Sequence, residues 1–255
     1  MTLEATFTPA EFETLRQQDL SDTACVVFDV LRATSTIVTG LARGAESVLP
    51  VATIEEAVHC RAADAKVLLA GERNGLSITG ALAGGVNFDL GNSPREYTAA
   101  AVRGRRIITT TTNGTRAFAA CRSARHVFAC SFLNLNSTAQ HLARLNCPRV
   151  ILVCAGTGES VAFEDCLGAG ALCHRLLALS PNTVMTDSAC VTADMFKVHA
   201  GELEAAMEKS SNARRLRAVP ELRDDVAFCL TENLFPIVVT SESSGTLRRV
   251  GAEQI

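Results

Sequence analysis

Three short polar stretches of this 255-residue chain bring together groups able to hold a phosphorylated acid and a hard metal ion. They are Asp29-Val30-Leu31-Arg32-Ala33-Thr34, Glu72-Arg73-Asn74-Gly75 and Thr109-Thr110-Thr111-Thr112-Asn113-Gly114-Thr115. Two of them set an Arg beside a carboxylate, and the third supplies hydroxyls and a glycine. Guanidinium forks match phosphate and sulfonate oxygens, and carboxylates suit Mg²⁺. Asp29 stands where an apolar run passes into a helical pattern. There it either closes an ion pair with Arg32 that stabilises the turn, or it works as a Mg²⁺ ligand or general base. In the second reading Arg32 clamps a phosphate or sulfonate, and Thr34 and Ser35 add donors at a helix N-terminus.

Glu72 is a further candidate for metal binding or catalysis, Arg73 for an oxyanion and Asn74 for either, against the plainer reading of a polar turn. Ser93-Pro94-Arg95-Glu96 has the order of a capped helix start, which accounts for Ser93 and Pro94 but not for Asp89 or Asn92. Asn92 therefore joins the substrate-binding candidates, with Ser93 beside it. The turn at Asn113-Gly114 exposes backbone donors, so Thr111, Thr112, Asn113, Gly114 and Thr115 read as a phosphate-binding segment. It is not a P-loop, because the Gly-Lys-Ser/Thr element is missing. Glu164-Asp165 opens a helix after Ala155-Gly156-Thr157-Gly158. Paired acids suit the helix dipole there; alternatively one of them reaches Mg²⁺. Arg214-Arg215-Leu216-Arg217, the densest basic cluster, reads as a solvated helix face.

Other phosphatase chemistries are excluded by spacing. Leu31 removes the second Asp of the haloacid dehalogenase pattern, and no Cys precedes an Arg at the tyrosine-phosphatase distance. Asp187-Ser188-Ala189 lacks the clustered Asp and His zinc ligands of alkaline phosphatases, and the five His are dispersed. The ten Cys contain no Cys-x-x-Cys and read as small buried hydrophobes in a reducing compartment.

Strands that end at the polar stretches must position them. Strand signals fall at 25–30, 47–51, 66–70, 106–111, 126–132, 149–155 and 236–240. Helical signals fall at 8–20, 33–43, 53–64, from 94, and at 115–121, 136–145, 164–179, 187–209 and 221–231. Residues 75–91 read as a Gly-rich loop and 241–255 as a polar tail. Val150-Ile151-Leu152-Val153 is apolar throughout, as in a strand buried on both faces. The expected fold is α/β, a three-layer α/β/α arrangement with a mostly parallel sheet. The runs 26–70 and 107–155 repeat the same order at similar length, which predicts two similar half-domains, 1–104 and 105–255, forming one compact unit with the site between them.

The formal charge of −3 provides no field for nucleic acid. No apolar run approaches the roughly 20 residues of a membrane span. The N-terminus lacks the layout of a signal peptide, so a cytoplasmic protein without a membrane partner is expected. A homodimer is the assembly allowed for.

Taken in order, the motifs resemble the 2-phosphosulfolactate phosphatase (ComB) family over roughly residues 25–240. The blocks are Phe28 to Thr36, Gly71 to Gly75, Phe88 to Pro94, Thr110 to Thr115, Ser131 to Asn134, and Ala155 to Thr157 with Glu164-Asp165. The resemblance implies a Mg²⁺-dependent phosphatase that converts 2-phospho-3-sulfolactate to sulfolactate and phosphate, a step towards coenzyme M. The expected site has Asp29 with Glu164 or Asp165 on the metal, Arg32 and residues 111–115 on the phosphoryl group, and Arg73 with Asn92 on the sulfonate or carboxylate. Attack by a metal-positioned water is favoured over a covalent Asp29 intermediate. The alternatives are a phosphatase of the same fold for another phospho-hydroxy acid, and a non-catalytic binder. Residues 80–87 interrupt the family spacing and are expected to alter substrate choice or act as a lid.

Overall fold

The computed structural model describes residues 1–145 and 147–250, and in it eleven strands form one mixed sheet. The strands are β1 (Thr2–Thr6), β2 (Thr23–Phe28), β3 (Ser47–Pro50), β4 (Leu68–Arg73), β5 (Leu76–Ser77), β6 (Arg106–Thr110), β7 (His126–Cys130), β8 (Arg149–Cys154), β9 (Val184–Met185), β10 (Val239–Ser241) and β11 (Leu247–Arg249). The helices are α1 (Phe12–Arg16), α2 (Ala33–Ala42), α3 (Ile54–Ala63), α4 (Ala99–Val102), α5 (Gly114–Ala120), α6 (Leu135–Leu145), α7 (Phe163–Leu179), α8 (Asp187–His199), α9 (Leu203–Ala206), α10 (Ser211–Arg217) and α11 (Arg223–Cys229).

Strand alternation builds the layers. Ala24, Val26 and Phe28 of β2 face the core shared with α7 and α8, while Cys25 and Val27 face α1 and α5. Likewise Ile107 of β6 packs against α2, and Ile108 packs against α3. Helices thus cover both faces, and the three-layer α/β/α expectation holds.

The strand order is β5-β4-β6-β3-β11-β10-β7-β2-β8-β1-β9. The two repeated runs do not form separate halves. The first strand of each lies between the second and third of the other: β2 pairs in parallel with β7 and β8, and β6 pairs in parallel with β3 and β4. A boundary at 104/105 therefore cuts through a shared hydrogen-bonded ladder. Between the two parallel blocks sits the β10–β11 hairpin, paired antiparallel at both edges. Three successive antiparallel pairings reverse direction, so the two blocks run in opposite senses and their C-terminal ends can face one another.

Several sequence-level boundaries shift. The helix expected at 8–20 is a 3₁₀ turn, Pro9–Glu11, followed by short α1. The expected strand 66–70 extends to Arg73, and the polar tail contains β11, with residues 251–255 outside the described residues. β1 was not anticipated; it borrows parallel pairing from the apolar β8 ladder. Residues 80–87 are mostly exposed and are pinned through Ala83. Flanking Ile78 and Phe88, with Ala83 inside the loop, are buried against Ala57, Leu69 and Ile108, and none of the loop's residues lines the cavity described below.

Close helix packing depends on Gly170 in α7, where a Cβ would stand 2.0 Å from the Thr192 carbonyl oxygen of α8. Gly170→Ala is expected to lower stability by about 1–3 kcal/mol in urea unfolding, as overpacking does; an unchanged midpoint would show that the α7–α8 contact is slack.

Candidate active site

Loops leaving the C-terminal ends of β2, β4, β6 and β8 meet around a cavity of about 220 Å³. Asp29, just past β2, lies in its wall. Its Oδ1 accepts from the Ala33 amide at 3.0 Å, and its carbonyl oxygen accepts from the Thr34 amide and hydroxyl at 2.9 and 3.0 Å. Asp29 thus occupies the first amides of α2, donors that the sequence reading assigned to phosphate. Thr34 and Ser35 are likewise committed: the Ser35 hydroxyl donates to the Val30 carbonyl at 2.8 Å, and both residues are fully buried. They hold the loop rather than a substrate. Asp29 Oδ2 receives no hydrogen bond among the described residues, and it lies 2.8 Å from where a Cβ on Gly114 would stand. Gly114 therefore permits the close approach of the two loops.

Arg32 is 3% exposed, and its partner is Asp225 rather than Asp29. Nη1 donates to Asp225 Oδ2 at 2.7 Å and Nη2 to the Gly75 carbonyl at 2.7 Å. Ser93 donates to Asp225 Oδ1 at 2.7 Å, so it braces the pair from behind instead of facing the cavity. Asp225 was missed. At the start of α11, Asp224-Asp225 looks like an ordinary acidic first turn.

Because β4 continues through Glu72 and Arg73, these residues point to opposite faces. Glu72 faces the cavity, accepting from the Thr112 amide and hydroxyl at 2.8 and 3.0 Å and from the Gly75 amide at 2.7 Å. Arg73 turns away, with Nη2 on the Thr110 hydroxyl at 3.1 Å and Nη1 on the Glu72 carbonyl at 2.7 Å. It does not line the cavity, which corrects its assignment to the substrate. Asn74, Asn92, Thr112 and Asn113 do line it. Thr111 and Thr115 bond to one another and shape the turn from behind, with the Thr115 hydroxyl on the Thr111 carbonyl at 2.9 Å. Arg215, read as part of a solvated face, stands at the cavity instead. Its neighbours Arg214 and Arg217 do turn outwards, to Glu208 and Glu204.

Glu164 and Asp165, expected on the metal with Asp29, come close enough to influence it, but each is held by other partners. Asp165 accepts the Val30 amide on Oδ1 at 2.8 Å and the Gly156 amide on Oδ2 at 3.1 Å, so it ties the β2 and β8 loops together. Glu164 accepts from Ser210 at 2.7 Å and from Asn212 at 2.6 Å. Neither lines the cavity, and no trio of His, Cys, Asp or Glu among the described residues has metal-binding geometry. The carboxylates that do face the cavity are Asp29 and Glu72, close enough for Glu72 to influence Asp29. One or two carboxylates suffice for Mg²⁺, which keeps several waters and takes substrate phosphate oxygens.

A larger groove of about 940 Å³, bordered by Pro50, Glu55, His59 and Phe118, contains none of the cavity-lining carboxylates or arginines.

Burial raises Asp29 from 3.8 to about 7, with the Ala33 amide opposing and Glu72 and Glu164 adding to the rise. Burial, with Glu164 and Asp29, also pushes Asp165 well up. In metal-free protein the folded Asp29 keeps a proton over a pH range in which the unfolded carboxyl has lost it. Stability present below about pH 4 is therefore lost as pH rises to about 7, and is level above that. Asp29→Asn does not ionise, so in EDTA it should gain about 2–4 kcal/mol on wild type between pH 4 and 8. Parallel urea-unfolding curves for the two proteins would contradict the raised value.

The 2-phosphosulpholactate phosphatase family model matches residues 10–244. Similar proteins include a probable 2-phosphosulfolactate phosphatase of Thermotoga petrophila, 42% identical over 84% of this chain and 87% of the relative. Those of Caldanaerobacter subterraneus subsp. tengcongensis and Deinococcus radiodurans are each 38% identical, over 89% and 88% of this chain and 91% of each relative. With the match running nearly end to end and taking in every loop that reaches the cavity, the chain belongs to the 2-phosphosulpholactate phosphatase family.

Proposed function

We propose that this protein is a phosphoric monoester hydrolase that releases phosphate from 2-phospho-3-sulfolactate with Mg²⁺, the type of step that leads towards coenzyme M. One observation carries the reading: Asp29 Oδ2, with no hydrogen-bond donor among the described residues, shares a small cavity with Arg32. That combination binds a phosphoryl group and leaves a carboxylate oxygen beside it.

Asp29 and Glu72 are the residues that would hold Mg²⁺, which when bound neutralises charge on the phosphoryl oxygens and lowers the pKa of its carboxylates. Arg32, aimed by Asp225 and the Gly75 carbonyl, stabilises charge on the transferring phosphoryl group without having to reorganise. Thr112, Asn113 and Asn92 contribute polar groups along the wall. Water attacks phosphorus in line with the ester oxygen, the bond from phosphorus to that oxygen breaks, and a carboxylate of the Asp29–Glu72 pair takes the water's proton and returns it to the leaving hydroxyl of the product.

Phosphate release from 2-phospho-3-sulfolactate, phospholactate and phosphoglycolate, with Mg²⁺ and with EDTA, tests this reading. Metal-dependent turnover preferring the sulfonate is expected. Preference for another ester would move the substrate, and no release from any of them would point to a binding protein. Arg32→Lys is expected to lower kcat/KM by about 100-fold or more, because a point charge cannot keep both the Asp225 contact and the phosphoryl contact; near-wild-type kinetics would remove Arg32 from the reaction.

A further inference from the structure

Two guanidinium groups line the cavity, and they are differently placed. Arg32 is buried and neutralised by Asp225. Arg215 is exposed and forms no ion pair among the described residues; Nη2 donates to Asn212 Oδ1 at 3.1 Å. Asn212 is itself buried and fixed. Its Nδ2 donates to Glu164 Oε1 and to the Thr157 hydroxyl, each at 2.6 Å. Ser210 caps α10 by accepting from the Ala213 amide at 2.9 Å, and donates to Glu164 Oε2 at 2.7 Å. Glu164 therefore anchors the first turn of α10 by two bonds, and Asn212 hands that anchoring on to Arg215.

A charged group held at a cavity rim without a counter-charge is arranged for an anion from outside. The phosphoryl group belongs with Arg32 and Asp29 in the wall, while Arg73, the other cation expected at the substrate, faces away. We propose that Arg215 is the specificity-determining residue that grips the second acid group of the substrate, a sulfonate or carboxylate, and that Asn212 is the positioning residue that aims it. This rests on the phosphatase reading above. A monoester lacking a second acid leaves Arg215 solvated and gains nothing from it, so selectivity arises from the paired charge.

The test uses Arg215→Gln, Arg215→Lys and Asn212→Ala, with thermal midpoints to confirm folding. Steady-state kinetics on 2-phospho-3-sulfolactate and on glycerol 2-phosphate are set beside calorimetric binding of 3-sulfolactate, which has the second acid but no phosphate. Arg215→Gln is expected to raise KM for the sulfonate ester about 30-fold with kcat within about threefold, and to weaken 3-sulfolactate to a similar extent. Turnover of glycerol 2-phosphate should move less than about threefold. Arg215→Lys should recover part of the loss, and Asn212→Ala should raise KM without lowering kcat. Equal losses on both esters, a loss confined to kcat, or 3-sulfolactate affinity that is absent or indifferent to Arg215 would overturn the proposal. If the wild type releases no phosphate from any ester yet binds 3-sulfolactate through Arg215, the phosphatase reading fails and Arg215 stands. Fast turnover with Arg215-independent binding removes Arg215 and leaves the phosphatase.

Discussion

A guanidinium buried to 3% exposure beside a carboxylate buried to 0% is the constraint around which this site is organised. Removing two ions from water costs several kcal/mol each, and the attraction between them offsets this only when the remaining donors and acceptors are also satisfied. Arg32 and Asp225 meet that condition by drawing in the Gly75 carbonyl and the Ser93 hydroxyl. Four segments far apart in sequence are thereby held together: the β2–α2 loop, the β4–β5 turn, the 3₁₀ turn after Ser93, and α11. Arg32 consequently reaches the cavity wall with its orientation already set.

The opposed parallel blocks explain why so many acids gather in one place. Both blocks direct their C-terminal loops inwards, and four carboxylates, Asp29, Glu72, Glu164 and Asp165, end up buried within the same region. Hydrogen-bond accounting separates them by role. Asp165 takes two amides and Glu164 a hydroxyl and an amide side chain, both away from the cavity. Glu72 is braced by three donors but still faces the cavity, and Asp29 keeps one oxygen without a donor among the described residues. Acids with donors hold the loops together, and the Asp29 oxygen facing the cavity can take a ligand.

Much of this was legible beforehand. The alternation of strand and helix patterns yields the α/β class, because apolar periodicity is a local property of the chain. Asp29 and Arg32 stood out because a carboxylate and a guanidinium at the end of an apolar strand need a reason to be there. Asn92 and the Thr112-Asn113 turn stood out for lacking a purely local role. Arg73 was misplaced through a strand end set three residues short, since each strand residue alternates faces and the end decides which of two neighbours looks inwards. The partners of Glu164 and Asp165, namely Asn212, Ser210 and the Val30 and Gly156 amides, were not legible because they lie outside their own segment.

The residues themselves thus determined most of the strand–helix order, which loops are polar, and that a carboxylate and a guanidinium would stand together at the end of an apolar strand. Only the tertiary structure decided that the two repeated runs exchange their first strands, that Asp225 rather than Asp29 neutralises Arg32, and that Arg215 stands at the cavity while Arg214 and Arg217 do not. The physical reason is the same in each case. Local pattern reports whether a position is apolar and what period it follows, whereas the partner of a charge is set by which distant segment the packing brings within about 3 Å of it.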